Sequence, residues 1–151
     1  MFGLFKQPML DVKSQNQIVE SLKLAETKTS GEIRVYMEHH CRYVDPMMRA
    51  REVFMQLKMG ETHAHNAVLI YLAVTDRQFA LLGDHAIYEK AGGPEFWKKA
   101  AAALRGHFQK SEIANGISNC IHELGIVMAA HFPVEPGIKR NELPDEIVFG
   151  K

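Results

Sequence analysis

The sequence of 151 residues has two cysteines, no surplus of charge of either sign and no long hydrophobic run. Two cysteines, Cys41 and Cys120, are too few for a disulfide framework, so we expect a reducing, cytoplasmic setting. Lysine plus arginine numbers 18 and aspartate plus glutamate also 18, whereas nucleic-acid and anionic-membrane binders need a positive surplus. No run approaches the ~20 apolar residues that cross a bilayer. We therefore expect neither a nucleic-acid partner nor a transmembrane segment.

What is present is typical of one globular domain. Hydrophobic residues make up 46% of the chain and charged residues 24%, which excludes an intrinsically disordered protein. The length also predicts a single domain. We assign residues 1–132 to that domain and residues 133–151 to a C-terminal tail, which contains Pro133, Pro136 and Pro144 and has little periodicity.

The hydrophobic periodicity predicts five helices and three strands. Helical spacing of apolar residues is found at 11–28, 46–57, a short segment after Asp84, 94–108 and 111–131. Residues 32–38 alternate between apolar and polar, which predicts a half-buried strand. The segment AVLIYLAV is apolar on both faces and predicts a central strand, followed by a turn and a hairpin partner at QFALLG.

This order of elements predicts a three-layer α/β/α sandwich with a small mixed parallel and antiparallel sheet. A right-handed crossover through the second helix makes the first two strands parallel. The polar residues then fall at two ends of the sheet, about 26 Å apart at about 3.3 Å per residue. One end holds Ser30, Gly31, Glu32, Asn66, Gly83 and Asp84, and the other holds Glu38, Cys41, Asp45, Asp76 and Arg77.

Each end offers a candidate site with a simpler alternative. At the first end, Asp84 with Glu32 and the amide of Asn66 could supply oxygen ligands for Ca²⁺ or Mg²⁺. Alternatively, Asp84 only caps the short helix that begins at His85.

At the second end, Asp45, Asp76 and Glu38 form an acidic group, and Arg77 could bind an anion or a phosphate. The alternative is that Asp45 caps a helix and that Asp76 and Arg77 form a polar turn.

Other metal and nucleophile motifs are excluded by position or spacing. A zinc site would need His39, His40 and Cys41 to meet His63 and His65, but the predicted topology separates these groups to opposite edges of the sheet. A phosphate-binding loop with Cys41 as its thiolate nucleophile needs an arginine six residues later, where this sequence has Met47. Neither a Walker A loop nor a nucleophile-elbow serine is present.

The segments AETKTSGEIRVYME, HNAVLIYLAVTDRQFALLGDHAI and IANGISNCIHELGIVMAAHFP occur in the order and spacing of a known family. From about Ser14 to Pro133 the chain resembles the TPM domain family, in particular its short, stand-alone bacterial members. The resemblance implies a three-layer fold, binding of calcium or another divalent cation through acidic loop residues, and a phosphatase activity. The family motif matches here at 30–32, Asn66, 76–77 and 83–84.

Two functions therefore remain open. The first is a weak divalent-cation binder with metal-assisted phosphatase activity, in which Arg77 stabilises negative charge if the second end is used. The second is a non-catalytic interaction or scaffold module that binds an unidentified protein partner. The lack of a nucleophile motif favours the second function, and whether the chain is an enzyme stays open.

Overall fold

The computed structural model describes residues 9–136 and 146–150. Within them the chain forms five α-helices, one 3-10 turn and four strands. In chain order these are α1 Val12–Glu26, β1 Glu32–Glu38, α2 Pro46–Gln56, the 3-10 turn Met59–Glu61, β2 Ala67–Ala73, β3 Gln78–Gly83, α3 His85–Lys90, α4 Pro94–Gln109, α5 Ile113–His131 and β4 Ile147–Phe149. All five helices and the first three strands lie where the periodicity predicts them.

The four strands form one mixed sheet in the order β3-β2-β1-β4. Strands β1 and β2 are parallel and are connected through α2, whereas β2 and β3 form an antiparallel hairpin. Seven buried residues make up β2, which agrees with the prediction of a central strand. The predicted mixed sheet is therefore confirmed.

The outer strand β4 comes from the C-terminal tail, where the sequence predicts no strand. It runs parallel to β1 and pairs Ile147 with Val35, and the amide of Gly150 donates to the carbonyl of Met37 at 2.7 Å. Ile147 is buried, so the tail contributes to the core as well as to the sheet. Residues 137–145 and Lys151, which also belong to the predicted tail, lie outside the described residues.

The sheet separates two hydrophobic cores, which gives the three layers. One face packs against α1, α4 and α5 through residues such as Val35, Ile70 and Leu124. The other face packs against α2 through residues such as Leu69 and Val53. Each fully buried aliphatic side chain of this kind stabilises the fold by about 1.5–3 kcal/mol. Within the described ranges, every helix is too short or too polar to cross a bilayer.

The prediction of a half-buried β1 is wrong, because both faces of the strand are buried. Arg34, Tyr36 and Glu38 alternate with the apolar residues of β1, as the sequence pattern requires, yet none is more than 8% exposed. The second face is covered because α2 packs on that side of the sheet and supplies a partner for Glu38. A polar residue in β1 therefore indicates a buried polar contact and not a side chain that faces solvent.

Candidate functional site

Strand register places the predicted site residues at the two ends of the sheet. Glu32 lies opposite Ala67, and Gly83 lies opposite Val68, so Glu32, Asn66 and Asp84 all lie at one end. Ala73 pairs with both Glu38 and Gln78, which puts the turn containing Asp76 and Arg77 at the other end. The register confirms the predicted separation of the two groups.

At the first end, Asp84 lies between two histidines. Its Oδ2 atom is 3.3 Å from Nδ1 of His65, and its Oδ1 atom is 3.3 Å from Nδ1 of His85. One ligand atom from each residue lies within 4.8 Å of the others. Over residues 9–136 and 146–150, this is the only group of three or more histidine, cysteine or acidic side chains that close together.

Local backbone geometry brings these three residues together. Asp84 follows β3, and its amide donates to the carbonyl of Ala67 at 2.9 Å, so the residue is fixed against the start of β2. Its carboxylate also accepts from the amide of His85 at 2.8 Å and caps α3, so the predicted capping role is confirmed. His65 reaches the carboxylate from a left-handed backbone conformation with a φ of 51°. The two imidazole rings lie 4.6 Å apart between centroids.

The cluster combines a shielded carboxylate with accessible imidazoles. The Asp84 side chain is 13% exposed, whereas those of His65 and His85 are 46% and 70% exposed. An ion could therefore approach from solvent and meet the carboxylate from the open side. Sequence reasoning singled out Asp84 but did not join it to either histidine, although His85 is its direct neighbour.

The other two residues predicted at this end are buried. Glu32 is 5% exposed and is not part of the three-residue cluster. Asn66 is 1% exposed, and neither its amide nitrogen nor its amide oxygen has a hydrogen-bond partner. A buried amide without partners is costly, at about 1–3 kcal/mol, so Asn66 is a place where a water or an ion would be stabilising.

A cavity of about 470 Å³ adjoins the cluster. Its walls are mainly apolar, from Phe54, Leu82 and Tyr88, and Asp84 and His85 form part of its rim. Arg51 of α2 and Glu89 of α3 also line it, and Arg51 makes no ion pair with any described carboxylate. The cavity thus places a cationic side chain and the Asp84 cluster around one apolar space.

At the second end, the acidic residues are used in local structure. Asp45 caps α2 by accepting from the amide of Met47 at 3.0 Å. Asp76 accepts from the amide of Cys41 at 2.6 Å and contacts Nδ1 of His40 at 2.9 Å. The contact with His40, followed by the bond from Cys41, holds the pKa of Asp76 below its usual value. Both carboxylates therefore fit the capping and turn alternatives.

Arg77 and His39 also lie at this end of the sheet. Arg77 lines a separate cavity of about 440 Å³ on the α4 and α5 side of the sheet. His39 contacts the Thr75 hydroxyl at 3.1 Å and so stays at this end, far from His65. The argument against a zinc site built from both histidine groups is thereby confirmed.

A buried polar network around Glu38 was missed by sequence reasoning. Arg49 of α2 donates from Nε and Nη2 to the two oxygens of Glu38, and from Nη1 to Glu52 at 2.9 Å. The hydroxyl of Tyr71 also donates to Glu38, and that of Tyr43 donates to Glu52. Burial alone would raise the pKa of Glu38, but the hydrogen bonds from Arg49 and Tyr71 outweigh it and lower that pKa.

The layered fold defines a small α/β domain with polar residues clustered at the ends of its sheet. Comparison with known proteins identifies its family. The TPM domain profile matches residues 6–127. The chain therefore belongs to the TPM domain family, as its resemblance predicts. A search of curated proteins gave no match.

Three solved structures from bacteria have a similar fold. The chain is similar to the BA42 protein of Bizionia argentinensis, with 34% identity and a TM-score of 0.86 over 97% of this chain and 99% of that chain. The N-terminal domain of the cg2496 protein from Corynebacterium glutamicum shares 12% identity and a TM-score of 0.64, over 93% of this chain and 98% of that one. A domain from P. gingivalis has 11% identity and a TM-score of 0.62, covering 82% and 79% of the two chains. The last two likenesses concern the fold alone.

Proposed function

We propose that this TPM domain binds a divalent cation through Asp84, His65 and His85 and uses it to hold a phosphate ester in the adjoining cavity. The observation that carries the proposal is the approach of three ligand atoms to within 4.8 Å at the rim of that cavity. A carboxylate and two imidazoles are common metal ligands, and in a four-coordinate shell the fourth position would remain for water or substrate.

The donor set favours a first-row transition metal such as Zn²⁺. Imidazole nitrogen is a good ligand for zinc, whereas Ca²⁺ takes 6–8 oxygen ligands and Mg²⁺ also prefers oxygen. A Ca²⁺ or Mg²⁺ site would instead need the oxygens of Asp84, Asn66 and Glu32. The unpartnered amide of Asn66 supports that second donor set, although Glu32 is outside the Asp84 cluster.

The chain's own residues would divide the work of phosphate ester hydrolysis. A bound divalent ion would polarise a phosphoryl oxygen or make a bound water more acidic. Arg51 would bind the anionic group through charge-assisted hydrogen bonds. The apolar walls formed by Phe54, Leu82 and Tyr88 would pack against the ester's organic group.

Calorimetric titration of the whole chain with ZnCl₂, CaCl₂ and MgCl₂ tests cation binding. We expect saturable binding of Zn²⁺, with Asp84→Asn and His85→Gln each weakening it by about tenfold or more. Asparagine is an equally good helix cap, so Asp84→Asn keeps α3 in place. His122→Gln, an exposed histidine on α5, is the matched control and should bind as the wild type does. Equal binding by all four proteins would refute the assignment of these ligands.

Hydrolysis of p-nitrophenyl phosphate tests the enzymatic part separately. We expect activity that needs the cation, is lost in Asp84→Asn and falls in Arg51→Gln without loss of cation binding. Activity that survives in Asp84→Asn would contradict the metal-assisted mechanism. Cation binding without any hydrolysis would leave a binding module and remove the phosphatase.

The alternative, a non-catalytic interaction module, has its own supporting observation. Met48 and Met55 of α2 are seven residues apart on one helix face and are 49% and 78% exposed. Flexible, apolar methionines are frequent on surfaces that bind other proteins. If no cation binds at Asp84, this face of α2 becomes the better candidate for the functional surface.

We also propose that the protein works in a reducing, cytoplasmic setting. Both cysteines are free thiols, and Cys120 is buried in the core on α5. Free thiols are typical of proteins kept under reducing conditions. Measured location in cells, by fractionation of the producing organism, tests this proposal.

A further inference from the structure

We propose that the cavity between the β2–β3 turn and the α4–α5 turn binds a small organic anion that carries an aromatic ring. The acidic group of this ligand would bind Arg77 and Arg105, and its ring would pack against Phe79 and Phe108. The cavity lies at the opposite end of the sheet from Asp84. The proposal is therefore independent of the proposed cation site.

The cavity is built where the hairpin meets the end of α4. Leu72 and Phe79 are paired across β2 and β3 and form its floor. Arg105 and Phe108 come from the last part of α4 and form one wall. Its volume of about 440 Å³ falls within the range of small-molecule sites, about 300–1,000 Å³.

Two phenylalanines provide a surface for a flat ring. The rings of Phe79 and Phe108 lie 5.2 Å apart at an angle of 80°, which is the edge-to-face arrangement that aromatic pairs prefer. Both side chains are only partly buried, so apolar surface remains open in the cavity. A third ring could pack there and remove that surface from water.

The charges around the cavity are all positive. The Arg105 guanidinium lies over the Phe79 ring, 5.5 Å from its centroid, and this contact holds the charge next to the apolar floor. In the described part of the chain, neither Arg105 nor Arg77 is paired with a carboxylate, and no acidic residue lines the cavity. Guanidinium groups bind carboxylate and phosphate oxygens in a two-pronged manner. The cavity therefore favours an anion and disfavours a cation.

Two residues that line the cavity have left-handed backbone conformations at the turns that border it. Arg77 has a φ of 55° and Ser111 a φ of 60°, and both line the cavity. Glycine adopts this left-handed conformation without strain, whereas a residue with a side chain does not. At both positions the chain carries a group that can bind an anion, a guanidinium in one case and a hydroxyl in the other.

Binding of phenylacetate, followed by amide chemical shifts of the whole chain, tests the proposal. We expect saturable shifts at Leu72, Phe79, Phe108 and Ser111. Phenylacetamide, which keeps the ring but has no charge, should bind about tenfold more weakly. Inorganic phosphate, which has charge but no ring, should also bind more weakly. Equal binding of phenylacetamide would refute the role of the arginines, and equal binding of phosphate would refute the role of the rings.

Variants of the chain distinguish binding in the cavity from attraction of the anion by general surface charge. Arg105→Gln and Arg77→Gln should each weaken phenylacetate binding by about tenfold. Lys98→Gln removes one positive charge from α4 outside the cavity and should leave binding unchanged. An equal loss in Lys98→Gln would show that net charge, not this cavity, attracts the anion. Shifts confined to the Asp84 region would likewise overturn the proposal.

Discussion

Arg49 donates two parallel hydrogen bonds to Glu38, from Nε at 2.8 Å and from Nη2 at 3.0 Å, and both side chains are only 6% exposed. The pair joins α2 to β1 beneath the helical layer that covers this face of the sheet. A buried ion pair of this geometry is strongly coupled, because either charge left alone would have lost its water without a replacement. Removal of either partner should therefore destabilise the packing of α2 on β1.

Replacement of Arg49 tests that coupling. Arg49→Met leaves the Glu38 carboxylate buried without its main partner, so we expect a loss of about 3–5 kcal/mol in the free energy of unfolding, measured with urea. Arg51→Met makes the same change at an exposed position of the same helix and should cost no more than about 0.5 kcal/mol. Similar losses in the two variants would show that the pair contributes nothing special.

The same pair predicts how stability depends on pH. The pKa of Glu38 is lowered in the folded protein, with the hydrogen bonds from Arg49 and Tyr71 outweighing burial. Its contribution is therefore fully present above the ordinary pKa of 4.5 and is lost as pH falls through the lower folded value. Urea unfolding between pH 7 and pH 3 should show the stability difference between wild type and Glu38→Gln shrinking toward the acid end. A difference that stays constant or widens would contradict this assignment.

Replacement of glycine by alanine should have opposite effects on stability at two positions. A Cβ atom at Gly83 would lie 2.6 Å from Cη2 of Trp97, whose indole is held by a hydrogen bond to the Tyr88 carbonyl at 3.1 Å. Gly83→Ala should therefore cost about 1–3 kcal/mol. Gly106 lies inside α4 with no atom near its Cβ position, so Gly106→Ala should stabilise by about 0.5–1 kcal/mol. Thermal unfolding of both variants checks the prediction, and shifts in the same direction would refute it.

The two cysteines should differ in reactivity. Cys120 is 5% exposed, and burial raises the pKa of its thiol to about 12. Cys41 is partly exposed on the loop before α2. Iodoacetamide should modify Cys41 in the native protein and reach Cys120 only after denaturation, as read by mass spectrometry of peptides. Rapid modification of Cys120 in the native protein would show that α5 opens readily.

The helices and the first three strands could be predicted because each has its own periodicity. Ile18 and Leu22 mark α1, and the apolar run of β2 requires cover on both faces. The strand β4 has only three residues and follows a proline-containing segment, so its own sequence gives too little signal. Its pairing depends on the free edge of β1, which is a tertiary property.

The side-chain clusters were harder to predict than the fold. Arg49 lies four residues before the buried Val53 on α2, and a charge at a core-facing position is the signal that could have revealed its partner. The contact of His65 with Asp84 depends on a left-handed backbone conformation that periodicity does not encode. The sequence therefore predicts the end of the sheet at which Asp84 lies but not the side chains that contact it.

X-ray absorption of the zinc-loaded protein tests the cation cluster most directly, because it reports the atoms bound to the ion. We predict imidazole ligands at about 2.0–2.1 Å. Two histidines should contribute in the wild type and one in His85→Gln, with no change in His122→Gln. A shell of oxygen atoms alone, the same in all three proteins, would contradict the assignment of His65, Asp84 and His85 as the cation site.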